Sequence, residues 1–210
     1  MPLELASEEL RVLGSLVEKD LTTPEYYPLS LNALVNACNQ KSNREPVVAY
    51  TEDAVRAALD SLRDRAYIAY VHESGSRVEK YRHKLGEVFN FTRGELALSA
   101  VLMLRGPQTA AELRERTQRM HSFDDLETTT HFLEKLAERD LAVLLPRQPG
   151  HKEPRWMHLF GGEIDASAEP VAAASPRPDR VAALEEEVAA LRRELEELKQ
   201  QIEPLRTLLS

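Results

Sequence analysis

The sequence predicts a mainly α-helical protein with small β-hairpins, an α+β fold, and three observations predict it. Apolar residues recur at helical spacing through most of the first 140 positions. Each set of three such stretches is followed by a run rich in aromatic and β-branched residues, as strands are. A long heptad repeat then closes the chain. Only 8 of 210 residues are glycine, and aromatic content is 6%, a balance that also leans towards helix.

The first helix is expected from Glu8 to about Lys19, capped by Ser7, with Leu10, Leu13, Leu16 and Val17 inward. Ser30 caps a second helix that carries Leu31, Leu34, Val35 and Cys38 on one face. Thr51 caps a third, with Val55, Ala58, Leu59 and Leu62 at the same spacing. Tyr67 to Val71 then reads as a strand, Ser74-Gly75-Ser76 as a turn, and Arg77 to His83 as the return strand. The pattern repeats. A helix is expected over Arg93 to Arg105, with Leu96, Leu98, Val101 and Leu102, ended by Gly106-Pro107. Thr109 and Glu112 form a capping box for the next helix, which carries Leu113 and Met120. A third covers about Asp125 to Arg139, with Leu126, Leu133 and Leu136 inward. Leu141 to Leu145, Pro149-Gly150 and Arg155 to Phe160 complete a second hairpin.

The two copies align on their third helices: Leu59, Leu62 and Arg65 stand 74 positions before Leu133, Leu136 and Arg139. Three helices followed by a hairpin is the winged-helix order, a variant of the helix-turn-helix. The expectation is two tandem winged-helix domains, residues 1–90 and 91–162, with a single helical domain bearing a hairpin as the alternative. Residues 163–178 are rich in Ala, Ser and Pro and read as a linker.

Residues 179–210 read as a coiled-coil helix. Val181, Val188, Leu195, Ile202 and Leu209 take position a, and Leu184, Leu191, Leu198 and Leu205 take position d. Leucine at d with some β-branched residues at a favours a parallel two-stranded coil. The flanking pairs Arg180–Glu185, Glu187–Arg192 and Glu194–Lys199 are all of opposite sign. Dimerisation through Val181, Leu184, Val188, Leu191, Leu195, Leu198 and Ile202 is therefore expected, against the alternative of a solvated helix packed on its own domain. Pro204 removes a backbone donor and ends or kinks the coil near Glu203.

The net charge is −8, so a broad basic surface for nucleic acid is excluded and any such contact must be a local patch. One cysteine, Cys38, excludes a disulfide within the chain and fits a reducing compartment. The N-terminus has no secretory pattern, and no apolar run is long enough to span a bilayer. A cytoplasmic protein without a membrane partner is expected.

Several segments are long and distinctive: Glu25-Tyr-Tyr-Pro-Leu-Ser-Leu-Asn-Ala-Leu34, Ala37-Cys-Asn-Gln-Lys-Ser-Asn-Arg-Glu-Pro46, Leu104-Arg-Gly-Pro-Gln-Thr109, and Arg147 through Trp156 to Phe160. In these the chain resembles the bacterial YceH-like family over roughly residues 5–160. The resemblance implies tandem winged-helix domains and no established biochemical activity. The C-terminal heptads lie outside it.

No catalytic constellation is written in the sequence. Phosphate-binding glycine motifs are absent, and none of the six histidines falls in a metal-binding pattern. The chain reads as non-enzymatic, with no cofactor and no metal. Cys38 reads as a buried small hydrophobe. The acids Glu8-Glu9 and Asp124-Asp125 read as helix-dipole partners.

Three places carry a nucleic-acid reading. The polar turn Asn39, Gln40, Lys41, Asn43 and Arg44 joins the second helix to the third, where a helix-turn-helix nears the phosphate backbone. A hydrogen-bonded brace is the equal alternative there. The first wing offers Arg77, Lys80, Arg82 and Lys84 against the acid Glu79, and the second offers Arg147, His151, Lys152 and Arg155. Trp156 reads as core. The third helices argue against base reading, since Glu52 and Asp53 open one and Asp124, Asp125 and Glu127 open the other. Arg56, Arg63 and Arg65 offset them in part. The leading expectation is a homodimeric regulator that binds double-stranded DNA. Its rival is a protein-interaction scaffold on acidic winged helices, which by fold-level analogy resembles the ScpB-like chromosome-segregation proteins.

Overall fold

A computed structural model describes residues 4–72, 78–147 and 153–162, and these form a mixed α/β body. The linker, all the coil positions, Arg77, His151, Lys152 and the two hairpin turns lie outside the described residues. Seven α-helices and two small antiparallel sheets are present among the described residues. The first half holds α1 (Ser7–Thr22), β1 (Leu29–Ser30), α2 (Leu31–Cys38), α3 (Glu52–Asp64), β2 (Ile68–Val71) and β3 (Lys80–His83). A short α4 (Leu85–Val88) leads to the second, with α5 (Arg93–Arg105), α6 (Ala110–Thr117), α7 (Leu126–Ala137), β4 (Ala142–Leu145) and β5 (Arg155–His158).

Local chemistry explains most of these boundaries. The Ser30 and Thr51 hydroxyls accept from the amides of Ala33 and Ala54, three residues on. Thr109 and Glu112 close the expected capping box, and Asp125 caps α7 through the Thr128 amide at 2.7 Å. Gly106 ends α5 at φ +71°, a conformation that costs glycine nothing. At α1 the expectation is corrected. Ser7 is already helical, and the Glu9 carboxylate accepts from the Ala6 amide at 2.7 Å in place of a hydroxyl cap. Leu126 is also corrected. It is 47% exposed, because it is the first residue of α7 and the stripe that packs inward begins at Thr129 and runs through Leu133 to Leu136.

The internal repeat extends to backbone detail. The amides of Tyr67 and Leu141 donate to the carbonyls of Leu62 and Leu136, each at 2.9 Å. The residues just before them, Ala66 and Asp140, both have positive φ, +61° and +54°. Arg65 faces Glu9 at 4.0 Å, and its counterpart Arg139 faces Glu95 at 3.3 Å. In the first sheet, ordered β1-β3-β2, Leu29 lies opposite Tyr81. In the second half Gln108 bridges Trp156 at the matching place. Tyr81 and Trp156 are both buried.

The halves share one apolar cluster. Its centre is the packing of α1 on α5, the two equivalent helices. At Gly14 a Cβ would stand 3.0 Å from Leu104 Cγ and 3.2 Å from Met103 Cβ, so glycine lets α1 close on α5. Helix α5 is buried over 11 of its 13 residues. Further ties cross the seam: the Glu45 amide donates to the Leu104 carbonyl at 2.8 Å, and the Leu5 amide to the Phe160 carbonyl at 2.9 Å. No helix among the described residues is long and apolar enough to cross a membrane.

Candidate nucleic-acid interface

The turn after α2 is largely a brace. The Asn39 side chain donates to the Tyr50 carbonyl and accepts from the Tyr50 amide, both at 2.8 Å, which pins residues 39 and 50 together. Arg44 is turned inward, its side chain 0% exposed. Its Nη1 and Nη2 donate to Glu18 Oε1 and Oε2 at 3.2 and 2.6 Å, and its Nε and Nη2 donate to the Ala37 carbonyl. The Asn43 carbonyl takes the remaining Nη1 N–H and Gln40 Oε1 shares an Nη2 one, so Arg44 has no donor left for a phosphate. Burial pushes the Glu18 carboxyl up. The Arg44 hydrogen bonds and charge outweigh that, with help from Lys19, and hold it below its ordinary value. Gln40 also accepts from Lys19 Nζ. Of the expected turn residues only Lys41 stands fully outward without a role in this network, and Asn43, at φ +58°, accepts from Arg105.

The first hairpin is arranged differently. Along β3, Tyr81 and His83 are buried while Lys80 and Arg82 alternate to the other face, opposite Val71 and Ala69. Arg82 Nη1 lies 2.6 Å from Glu87 Oε1, and Lys84 Nζ lies 3.6 Å from Glu87 Oε2, both at the surface. Arg56 is likewise exposed and paired with Glu52 at 3.0 Å, one turn earlier on α3. In the second hairpin Arg147 is exposed, and Arg155 has its Nε buried without a hydrogen-bond partner among the described residues. Trp156 is core, as expected.

A basic cluster that sequence reasoning missed lies between the halves. Arg105 from the end of α5, and Arg116 and Arg119 from the end of α6 and the turn beyond it, line a cleft of about 40 Å³ with Asn43. Arg105 Nη1 donates to Asn43 Oδ1 at 3.0 Å, while its Nε is buried without a hydrogen-bond partner among the described residues. Arg116 donates to Gln108 Oε1 and pairs with Glu112 at 3.2 Å. The signal available in the sequence was the basic run Arg114, Arg116, Arg119 against a chain of net charge −8.

The family model described as "Protein of unknown function, DUF480" matches residues 5–151. The chain belongs to the DUF480 family. It is 56% identical to a UPF0502 protein of Citrifermentans bemidjiense over 193 residues, covering 89% of each chain. It is 53% identical to one of Solibacter usitatus over 192 residues, covering 89% of this chain and 92% of the relative. The relative from Opitutus terrae is 52% identical over 191 residues, covering 89% of this chain and 83% of its own. In this DUF480 protein the family match runs from α1 into the turn between β4 and β5 and so takes in every residue of the cleft.

The single thiol of this DUF480 chain is packed away. Cys38 is buried, and that burial pushes its thiol up to about 11, as an inert core cysteine should be. Among the described residues no group of three or more His, Cys, Asp or Glu is placed to hold a metal ion.

Proposed function

We propose that each half is a winged helix, and that the protein is a non-enzymatic, transcription-regulator-like DNA-binding protein that dimerises through its C-terminal heptads. The observation that carries this reading is the first hairpin. Its β1-β3-β2 sheet stands beside three helices, and β3 alternates so that Lys80 and Arg82 share its less buried face. The pairs with Glu87 are exposed and contribute little, so phosphates can displace them. The reading leaves Asn39 and Arg44 out of the contact and keeps Lys41, Arg56, Lys84 and Arg147 in it.

The test is fluorescence anisotropy of the full-length protein with genomic duplex fragments across a salt series. Affinity is expected to fall steeply as salt rises, because each phosphate contact releases counterions. Reversing both charges, Lys80→Glu with Arg82→Glu, is expected to weaken binding at least tenfold, on the order of 1.4 kcal/mol or more, with the thermal midpoint kept. Unchanged affinity removes the first hairpin from the interface. Removal of residues 179–210 is expected to leave a monomer in sedimentation, and a dimeric truncation defeats the coil assignment.

One observation favours the scaffold reading. Glu52, Asp53, Asp60 and Asp64 are all exposed along α3, the helix a winged helix would turn to a groove. Four carboxylates on that face repel phosphate and suit a basic protein partner. Absence of DNA binding at low salt selects this reading.

A further inference from the structure

The cleft between α5 and α6 collects more positive charge than the fold requires. Glu18 also lines the cleft, but its carboxylate is taken up by Arg44 behind it, and Arg116 is matched by Glu112 at 3.2 Å. Arg105 makes only a neutral contact, to Asn43, and Arg119 has no carboxylate within 4.0 Å among the described residues. Holding these guanidinium groups together is unfavourable. Burial first, and then the charges of Arg116 and Arg44, lower the Arg105 guanidinium from its ordinary value. Nearby Glu45 and Glu112 offset that only in part. Meanwhile the Arg105 Nε–H is buried without an acceptor among the described residues, an unfavourable state for a polar group taken from water. Val101, Leu104 and Met120 form an apolar floor under these donors.

We infer that this cleft binds a phosphate group, with Arg105, Arg116 and Arg119 as its donors. A tetrahedral oxyanion supplies acceptors for several N–H groups at once and neutralises the excess charge, and arginine forks match that geometry. A site of about 40 Å³ has room for a few water-sized groups, since one water needs roughly 10–15 Å³. It therefore admits a phosphate head and leaves the remainder of the molecule outside. The phosphate belongs either to a nucleic-acid backbone or to a free phosphate ester, and both would use the same donors. The inference stands apart from the DNA reading, because a free ester fills the cleft whether or not the hairpin meets DNA.

The experiment uses the full-length protein, its Arg119→Gln and Arg105→Gln variants, and Arg63→Gln as a control on the far side of α3. Inorganic phosphate and pyrophosphate are titrated by calorimetry at low salt against chloride at equal ionic strength, and a short duplex is titrated in parallel. Arg119 is exposed and makes no ion pair among the described residues, so its variant is expected to fold. Each cleft variant is expected to weaken binding roughly tenfold, with the control unchanged. Pyrophosphate that competes with the duplex assigns the site to backbone phosphate. Pyrophosphate that binds without competing assigns it to a free ester. If neither the phosphate probes nor the duplex bind differently to wild type and the cleft variants, the inference is overturned.

Discussion

Arg44→Met is expected to lose about 3–5 kcal/mol of folding stability, the usual cost of stripping one partner from a buried ion pair. The loss has two sources. Glu18 keeps its charge with only Lys19 Nζ beside it, at 3.3 Å, and the Ala37 carbonyl loses both of its arginine donors. Urea denaturation of the full-length protein measures it as a lower midpoint with an unchanged slope. Adding Glu18→Leu is expected to restore much of the loss, since an apolar pair of similar volume needs no counter-charge. A cost under about 1 kcal/mol for the single variant, or no recovery in the double, would show that Arg44 does not hold the loop as described. The pair also carries an acid limit. The Glu18 pKa is lower folded than unfolded, so its contribution is complete above the ordinary carboxylate range and is lost as pH falls through the depressed value.

The second large effect concerns His158. It ends β5, is buried, and has its Nδ1 unpartnered among the described residues. Burial alone lowers its pKa from 6.5 to about 4. Below pH 6.5 the unfolded chain takes up a proton that the folded chain refuses until about pH 4. Stability is therefore full above 6.5 and falls as the solution is acidified through that window. At about 1.36 kcal/mol per unit the total approaches roughly 3 kcal/mol. His158→Leu is expected to flatten the stability profile between pH 6.5 and about 4.5, before the carboxylates titrate. A profile in the variant as steep as in the wild type would assign the dependence elsewhere. Its counterpart His83 occupies the same place at the end of β3, but its Nε2 lies 3.1 Å from Asp20 Oδ2. Both imidazoles leave Nδ1 without a hydrogen-bond partner among the described residues, and they differ in the carboxylate beside His83.

Short-range chemistry explains which elements could be read from the residues. Thr51, Val55, Ala58, Leu59 and Leu62 announce α3 because one face of that helix is buried and its hydroxyl cap is local. The bounds of α5 matched because Gly106 terminates it, although its burial on nearly every side leaves little apolar stripe to read. Glu18 with Arg44 escaped notice because the partners are 26 positions apart, so neither residue signals the other. For the same reason the residues of the turn 39–44 leave a phosphate contact and a hydrogen-bonded brace equally open. The cleft is assembled from α1, α5, α6 and the turns that follow α2 and α6, so its charge is diluted along the chain and concentrated only by folding. Lys80 and Arg82 were legible because strand alternation sends neighbours at i and i+2 to one face.

The packing of α1 on α5 decides what parting the two halves would expose. Helix α5 has few outward positions left on which its half could stand alone. A cut near residue 90 would therefore open apolar faces on both sides, because each half completes the other's interior.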